Sequence, residues 1–108
     1  MATIPNEFSG VTALTRANVY FEGKVVSHKI ELEDGTVKTV GMIYPGSYNF
    51  KTAGPERMEI ISGTCKVRLA GANEWKTYGE GTFFEVPGNS AFDIETKEGR
   101  MEYLCSYL

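Results

Sequence analysis

An all-β sandwich or barrel is the fold this sequence predicts, and three observations carry it. Twelve glycines punctuate the 108 residues, separating short β-branched and aromatic runs at intervals of roughly 8–12 residues, as consecutive strands of such folds are spaced. Two segments, "IELEDGTVKT" and "ERMEIISGTCKVRL", alternate apolar and polar residues on either side of a glycine turn. No stretch sustains an apolar stripe at helical spacing, and only residues 12–18 have room for a turn of helix. The count comes to about eight or nine strands with very little helix.

In the first hairpin, Asp34-Gly35 reads as a two-residue turn. That register pairs Leu32 with Val37 on an apolar face and Glu31 with Lys38 on an ionic one. In the second, a turn at Ser62-Gly63 sets Ile60 against Cys65, Met58 against Val67 and Glu59 against Lys66. Both registers assume no bulge, since one extra residue exchanges the faces. Further strands are expected at about 81–86, 91–96 and 101–107, separated by turns at "AGANEW", "PGNS" and "KEG".

Composition bounds the function classes. With 42% hydrophobic and 23% charged residues the chain is globular rather than disordered or fibrous. A net charge of −3 gives no basic excess for a nucleic-acid backbone. A single phosphate group asks for only one or two local donors, which the net charge does not forbid. The apolar runs are too short to cross a membrane as a helix. The start "MATIPNEFSG" lacks both the cationic beginning and the apolar stretch of a secretory signal, so a cytoplasmic location is expected. Cys65 and Cys105 are far apart and read as packed, reduced thiols. One His and two distant Cys do not compose a zinc site of ordinary ligands.

Strand parity picks out the residues with chemistry. Glu56 shares a face with Met58 and Ile60, and a carboxylate on the inner face of a small barrel is costly without a partner or ligand. Its functional reading is a group that bonds a substrate hydroxyl or moves a proton, and the plainer one a rim carboxylate held by backbone N–H groups. Lys24 shares a parity with His28, Ile30 and Leu32 and is a candidate anion anchor, although a lone Lys more often snorkels to solvent. His28 reads as a structural histidine, and Arg57 and Arg68 as a pair across the outer face. Tyr48 and Phe50 alternate on one strand, Phe92 lies on another, and Tyr103 and Tyr107 fall on the last. Aromatics pack cores more often than they stack on ligands, yet tyrosines at a barrel mouth suit a nucleobase or a sugar. The sequence holds no Ser-His-Asp arrangement, no phosphate-cradling glycine loop and no His pair at metal spacing.

The order of features resembles the cupin superfamily, which implies a jelly-roll β-barrel. One cupin motif ends in Glu, six residues, Gly, as Glu56 to Gly63 does. The other runs Gly, five residues, Pro-x-Gly, two residues, His; Gly81 and Pro87 fit, the next Gly comes one position early at Gly88, and Phe92 stands for the His. The His-x-His of the first motif falls on Phe50 and Thr52. Only Glu56 remains of four ligands, and one carboxylate does not hold a catalytic transition metal.

The segments "YFEGKV", "PGSYNFKTAGPERMEIISG", "VPGNSAF" and "YLCSYL" are similar to the small cupin-fold pyrimidine/purine nucleoside phosphorylase family. This resemblance runs from Val19 to Leu108, which sets residues 1–18 apart as an extension and 19–108 as one barrel domain. It implies metal-independent phosphorolysis of a broad range of purine and pyrimidine nucleosides, uridine and inosine among them, to free base and ribose 1-phosphate. Inorganic phosphate is then a co-substrate, no cofactor is needed, and a cytosolic homodimer is expected. On barrel parity Glu56 becomes the catalytic carboxylate, stabilising positive charge on the ribose, and Lys24, together with backbone N–H groups, the candidate phosphate ligand. Tyr48, Phe50, Phe92 and Tyr103 would hold the base, with Thr52 as a minor polar contact. The alternative is a non-catalytic cupin that binds a sugar or nucleotide. The apolar last strand, Met101 to Leu108, also suggests cover by a partner subunit, the alternative being burial within its own sandwich.

Overall fold

Alternating burial along nearly every run shows that these residues form strands with one inward face. The computed structural model describes residues 4–108. In chain order its strands are β1 (Thr12–Ala13), β2 (Asn18–Tyr20), β3 (Val25–Glu31), β4 (Val37–Ile43), β5 (Gly46–Thr52) and β6 (Glu56–Ser62). They continue with β7 (Thr64–Leu69), β8 (Lys76–Gly79), β9 (Phe83–Val86), β10 (Ser90–Thr96) and β11 (Met101–Tyr107). One 3-10 turn, Phe21–Gly23, joins β2 to β3. The expected strands at 81–86, 91–96 and 101–107 are β9, β10 and β11; β8, after "AGANEW", was not anticipated.

Two sheets result. The larger runs β1-β3-β4-β11-β6-β9, with β2 also on β3, and the smaller runs β5-β10-β7-β8. The pairs β4·β11, β5·β10, β6·β9 and β7·β8 form one long antiparallel ribbon wound on itself, the jelly-roll arrangement. Between the sheets lie Val25, Ile43, Met58, Ile60, Val67, Phe84, Ile94 and Met101. Each such side chain contributes about 1.5–3 kcal/mol by leaving water.

Both expected hairpins are corrected. The first closes through three residues, Glu33, Asp34 and Gly35, with Leu32 N donating to Thr36 O at 2.9 Å. Asp34 Oδ1 accepts the Thr36 N–H at 2.9 Å, and Gly35, at φ +88°, takes the left-handed position that follows a tight turn. The extra loop residue shifts the register by one, so Ile30 faces Lys38 and Glu31 faces Val37. The face of His28 and Ile30 is therefore the outer one, while Val25 and Ser27 are buried on the other. The second hairpin does not exist: β6 and β7 belong to different sheets. The chain changes sheets at Gly63, where φ is +87° and a Cβ would stand 2.9 Å from both Arg100 O and Met101 Cα. The inward parity nevertheless holds, since Met58, Ile60, Cys65 and Val67 are all buried.

Arg57 and Arg68 do not pair with each other. Arg57 bonds Glu85 at 3.0 Å and caps the Phe83 ring, whereas Arg68 bonds Asp93 at 3.1 Å and caps Trp75. His28 is structural, its Nδ1–H donating to Leu14 O at 3.2 Å. The last strand needs no partner subunit to cover it: β11 lies inside the larger sheet between β4 and β6. Its outward Leu104 is only 2% exposed, in a groove formed with Phe8 and Val11 of the N-terminal segment. Residues 5–11 thus lie against the outside of the sheet, away from the space between the sheets.

Candidate active site

The inner faces of the two sheets do not meet along their whole length, and a cavity of about 430 Å³ remains. Strand alternation decides what faces it. From the larger sheet come Ser27 on β3, Thr39 and Ile43 on β4, Glu56 and Met58 on β6, and Tyr103, Cys105 and Tyr107 on β11. From the smaller come Phe50 on β5 and Phe92 on β10, stacked at 5.6 Å between ring centroids. Tyr20, at the end of β2, and Phe21, from the turn ahead of β3, complete the rim. Phe21 lies 5.4 Å edge-on to Phe50 and 4.9 Å from Tyr48. Both Phe21 (φ 52°) and Glu22 (φ 58°) are held in the left-handed region, a conformation costing about 1 kcal/mol or more per residue outside glycine.

Glu56 is the one acidic side chain on the cavity wall. Burial pushes its pKa up, and a bond from the Cys105 thiol to Oε1, at 3.4 Å, pulls it partly back. The thiol itself is pushed to about 12, first by burial and then by the Glu56 charge. It is therefore a fixed donor and no nucleophile at neutral pH. Tyr103 is pushed to about 12 by burial, with Ser27 beside its oxygen working the other way. The Tyr107 hydroxyl sits 3.2 Å from Thr39 Oγ1, and burial raises its pKa too. The wall thus offers neutral hydroxyls around one half-buried carboxylate. Gly41 makes room for this group: Tyr103 Cζ occupies a point 2.8 Å from where a Cβ would lie.

Of the residues singled out from sequence, Glu56, Phe50, Phe92 and Tyr103 line the cavity together. Tyr48 stands behind the rim, its hydroxyl donating to the Tyr44 and Pro45 carbonyls at 2.9 and 3.1 Å. Thr52 is also buried, donating to Pro87 O at 2.6 Å and accepting the Ser90 N–H at 3.0 Å, so it ties β5 to the 87–90 turn. Lys24 is not among the lining residues. It follows the 3-10 turn on the outward parity of β3, exposed, and its carbonyl accepts the Tyr44 N–H at 2.8 Å. Ser27 and Thr39 also line the cavity but carry no signal in the sequence, and Cys105 reads there only as a packed thiol. Nor does the sequence single out Asn49 and Lys51, which lie on the outward parity of β5 but line the cavity at the strand's edge. Cys65 and Cys105 are both free thiols. Among the described residues, no three His, Cys, Asp or Glu side chains come together as a metal would require. No helix among them is long and apolar enough to cross a membrane.

The two-sheet jelly roll is a cupin-like fold, here with a carboxylate and an aromatic pair in its cavity. A cupin 2 conserved barrel domain protein from Leptotrichia buccalis superposes with a TM-score of 0.65 at 22% identity, covering 82% of this chain and 43% of its own, a likeness of fold. The chain belongs to the pyrimidine/purine nucleoside phosphorylase family, whose sequence model matches residues 15–107. The pyrimidine/purine nucleoside phosphorylase of Burkholderia vietnamiensis is 53% identical over 106 residues, covering 98% of this chain and 99% of the relative. That of Cupriavidus metallidurans is 52% identical over 102 residues, covering 94% and 98%. A solved structure from Acinetobacter sp. ADP1, described as a protein of unknown function, is 45% identical with a TM-score of 0.92, covering 94% of this chain and 98% of its own.

Proposed function

We propose that the protein is a broad-specificity nucleoside phosphorylase that works without a metal, cleaving purine and pyrimidine nucleosides with inorganic phosphate. A phosphate oxygen forms a bond to the anomeric carbon while the bond from that carbon to the base nitrogen breaks. The bonding pair leaves with the base, which takes up a proton, and ribose 1-phosphate is the second product. The observation that carries this reading is the single carboxylate, Glu56, sharing one cavity with the Phe50–Phe92 pair. Positive charge on the ribose is met by the carboxylate, whose Oε1 the Cys105 thiol occupies, leaving Oε2 for ribose hydroxyls. A nucleobase lies against Phe50, Phe92 and Phe21, and because every base has a π-face such a wall discriminates little among them. The volume suits a nucleoside-sized ligand.

Family membership supports the reaction class, and the residue types support the absence of a metal, since phenylalanines and a threonine stand where cupins place histidines. A homodimer in the cytoplasm completes the proposal. Light scattering tests the dimer. The deciding experiment measures free base from uridine, inosine and adenosine in excess chelator, with and without phosphate. Base release that needs phosphate and yields ribose 1-phosphate is expected. Ligand-induced thermal stabilisation with no product from any nucleoside would instead mark a binding cupin.

A further inference from the structure

The cavity has no cationic side chain on its inner faces: the lining residues of inward parity are neutral apart from Glu56. Phosphorolysis nevertheless needs a dianion held in place. The edge of the smaller sheet offers donors. Among the described residues, β5 pairs with β10 alone, so its far edge is unpaired. The direction of its backbone groups follows from its neighbours. Ala91 O accepts the Ala70 N–H at 2.9 Å, so the Ala91 main chain turns towards β7. Along a strand these directions alternate, and the Phe92 main chain therefore turns towards β5, opposite Phe50. By the same alternation the N–H and C=O groups of Asn49 and Lys51 turn away from β10. No other backbone group among the described residues bonds them.

Asn49 and Lys51 line the cavity although Tyr48, Phe50 and Thr52 hold the inward parity of the strand. Asn49's side chain is engaged elsewhere, donating to Asp93 at 2.9 Å. What the cavity meets at these two residues is the free strand edge, and Lys51 is the one cationic residue on its border. Exposed amides at a sheet edge make anion-binding concavities, and charge-assisted bonds to them are short and strong. Glu56 stands on the other sheet, so an anion at β5 and a ribose at the carboxylate occupy different walls.

We propose that the unpaired edge of β5 at Asn49 and Lys51 is the phosphate subsite, with the two amides as donors and the Lys51 ammonium as counter-charge. This rests on the phosphorolysis reading for its role, but binding is testable without turnover. Inorganic phosphate alone is titrated into the ¹⁵N-labelled full chain, and amide shifts are followed. Shifts concentrated at Asn49 and Lys51 are expected. In steady-state assays Lys51→Ala is expected to raise the phosphate KM about tenfold or more while the nucleoside KM stays within about twofold. Lys51→Pro removes the amide as well as the ammonium without taking a bond from the β10 pairing, and should weaken phosphate further. Melting curves of both variants confirm that they are folded. Phosphorolysis with no phosphate-dependent shift at these amides overturns the subsite and leaves the reaction standing. So does a rise in phosphate KM from Lys24→Ala with none from Lys51→Ala, or edge shifts that follow protein concentration rather than phosphate. Saturable phosphate binding at the edge without turnover supports the subsite and removes the reaction.

Discussion

Replacing Gly41 by alanine tests how the cavity is built. On β4, a Cβ at this position would stand 2.6 Å from Val26 O, 2.8 Å from Ser27 Cβ and 2.8 Å from Tyr103 Cζ. All three distances are shorter than atoms tolerate. Two of the obstacles belong to the neighbouring strand β3 and cannot swing aside, so Tyr103 or the strand pairing must give. Overpacking of this kind costs about 1–3 kcal/mol. Alanine recovers part of this, about 0.5–1 kcal/mol, because glycine loses more backbone freedom in a strand. The difference is a net destabilisation of up to about 2.5 kcal/mol, centred on about 1, and the central value corresponds to a fall in Tm of about 4–8 °C for a domain of this size. The assay is thermal unfolding by circular dichroism, paired with steady-state kinetics. Because the ring that moves is on the cavity wall, kcat/KM should fall by more than the loss of folded protein explains. A Tm within about 1 °C of the parent, with unchanged kinetics, would refute the claim that Gly41 is kept small by Tyr103.

Other expectations follow from the carboxylate and its neighbours. Burial raises the Glu56 pKa, so the folded chain holds that proton more tightly than the unfolded one, and stability is lost as pH rises through the folded value. Glu56→Gln has no such proton, and as pH rises above the ordinary glutamate value of about 4.3 its Tm should lose less than the parent's, while phosphorolysis drops sharply. Equal slopes of Tm against pH would show that Glu56 is not the group responsible. The thiol bond lowers the Glu56 pKa, so Cys105→Ala should move the acid limb of the kcat/KM profile to higher pH and Cys105→Ser should restore it. A limb that stays put in Cys105→Ala would remove Cys105 as a positioning residue. Tyr48 and Tyr107 are raised and Tyr103 reaches about 12, so ultraviolet titration of the native protein should show three of its six tyrosines ionising late. A single step near the ordinary value of about 10 would contradict the burial of these hydroxyls.

Much of the architecture was legible because strand parity is a local property. Which of Met58, Ile60, Cys65 and Val67 faces inward follows from a period of two, and it survives the loss of the hairpin that seemed to join them. Glu56, Phe50, Phe92 and Tyr103 reached the cavity by the same rule. Parity misleads where a bulge or a pairing choice intervenes. Gly35 inserts one residue into the first turn, the register slips, and the parity that aimed Lys24 inward places it outside. Thr52 and Tyr48 have the right parity but spend their hydroxyls on nearby carbonyls, which spacing cannot reveal.

By itself the sequence determined the all-β class, the inward faces of β5, β6, β7 and β11, and the cupin-like order of motifs with aromatics at the histidine positions. The tertiary structure decided the rest: that β6 pairs with β9 and β11 rather than β7, that the thiol of Cys105 meets Glu56 from 49 residues away, and that the edge of β5 borders the cavity. The physical reason is that facing within a strand depends on neighbours one or two residues distant, whereas antiparallel pairing joins segments far apart in the chain. Any two strands of suitable pattern satisfy the local rule. Only the winding of the whole ribbon selects which of them meet.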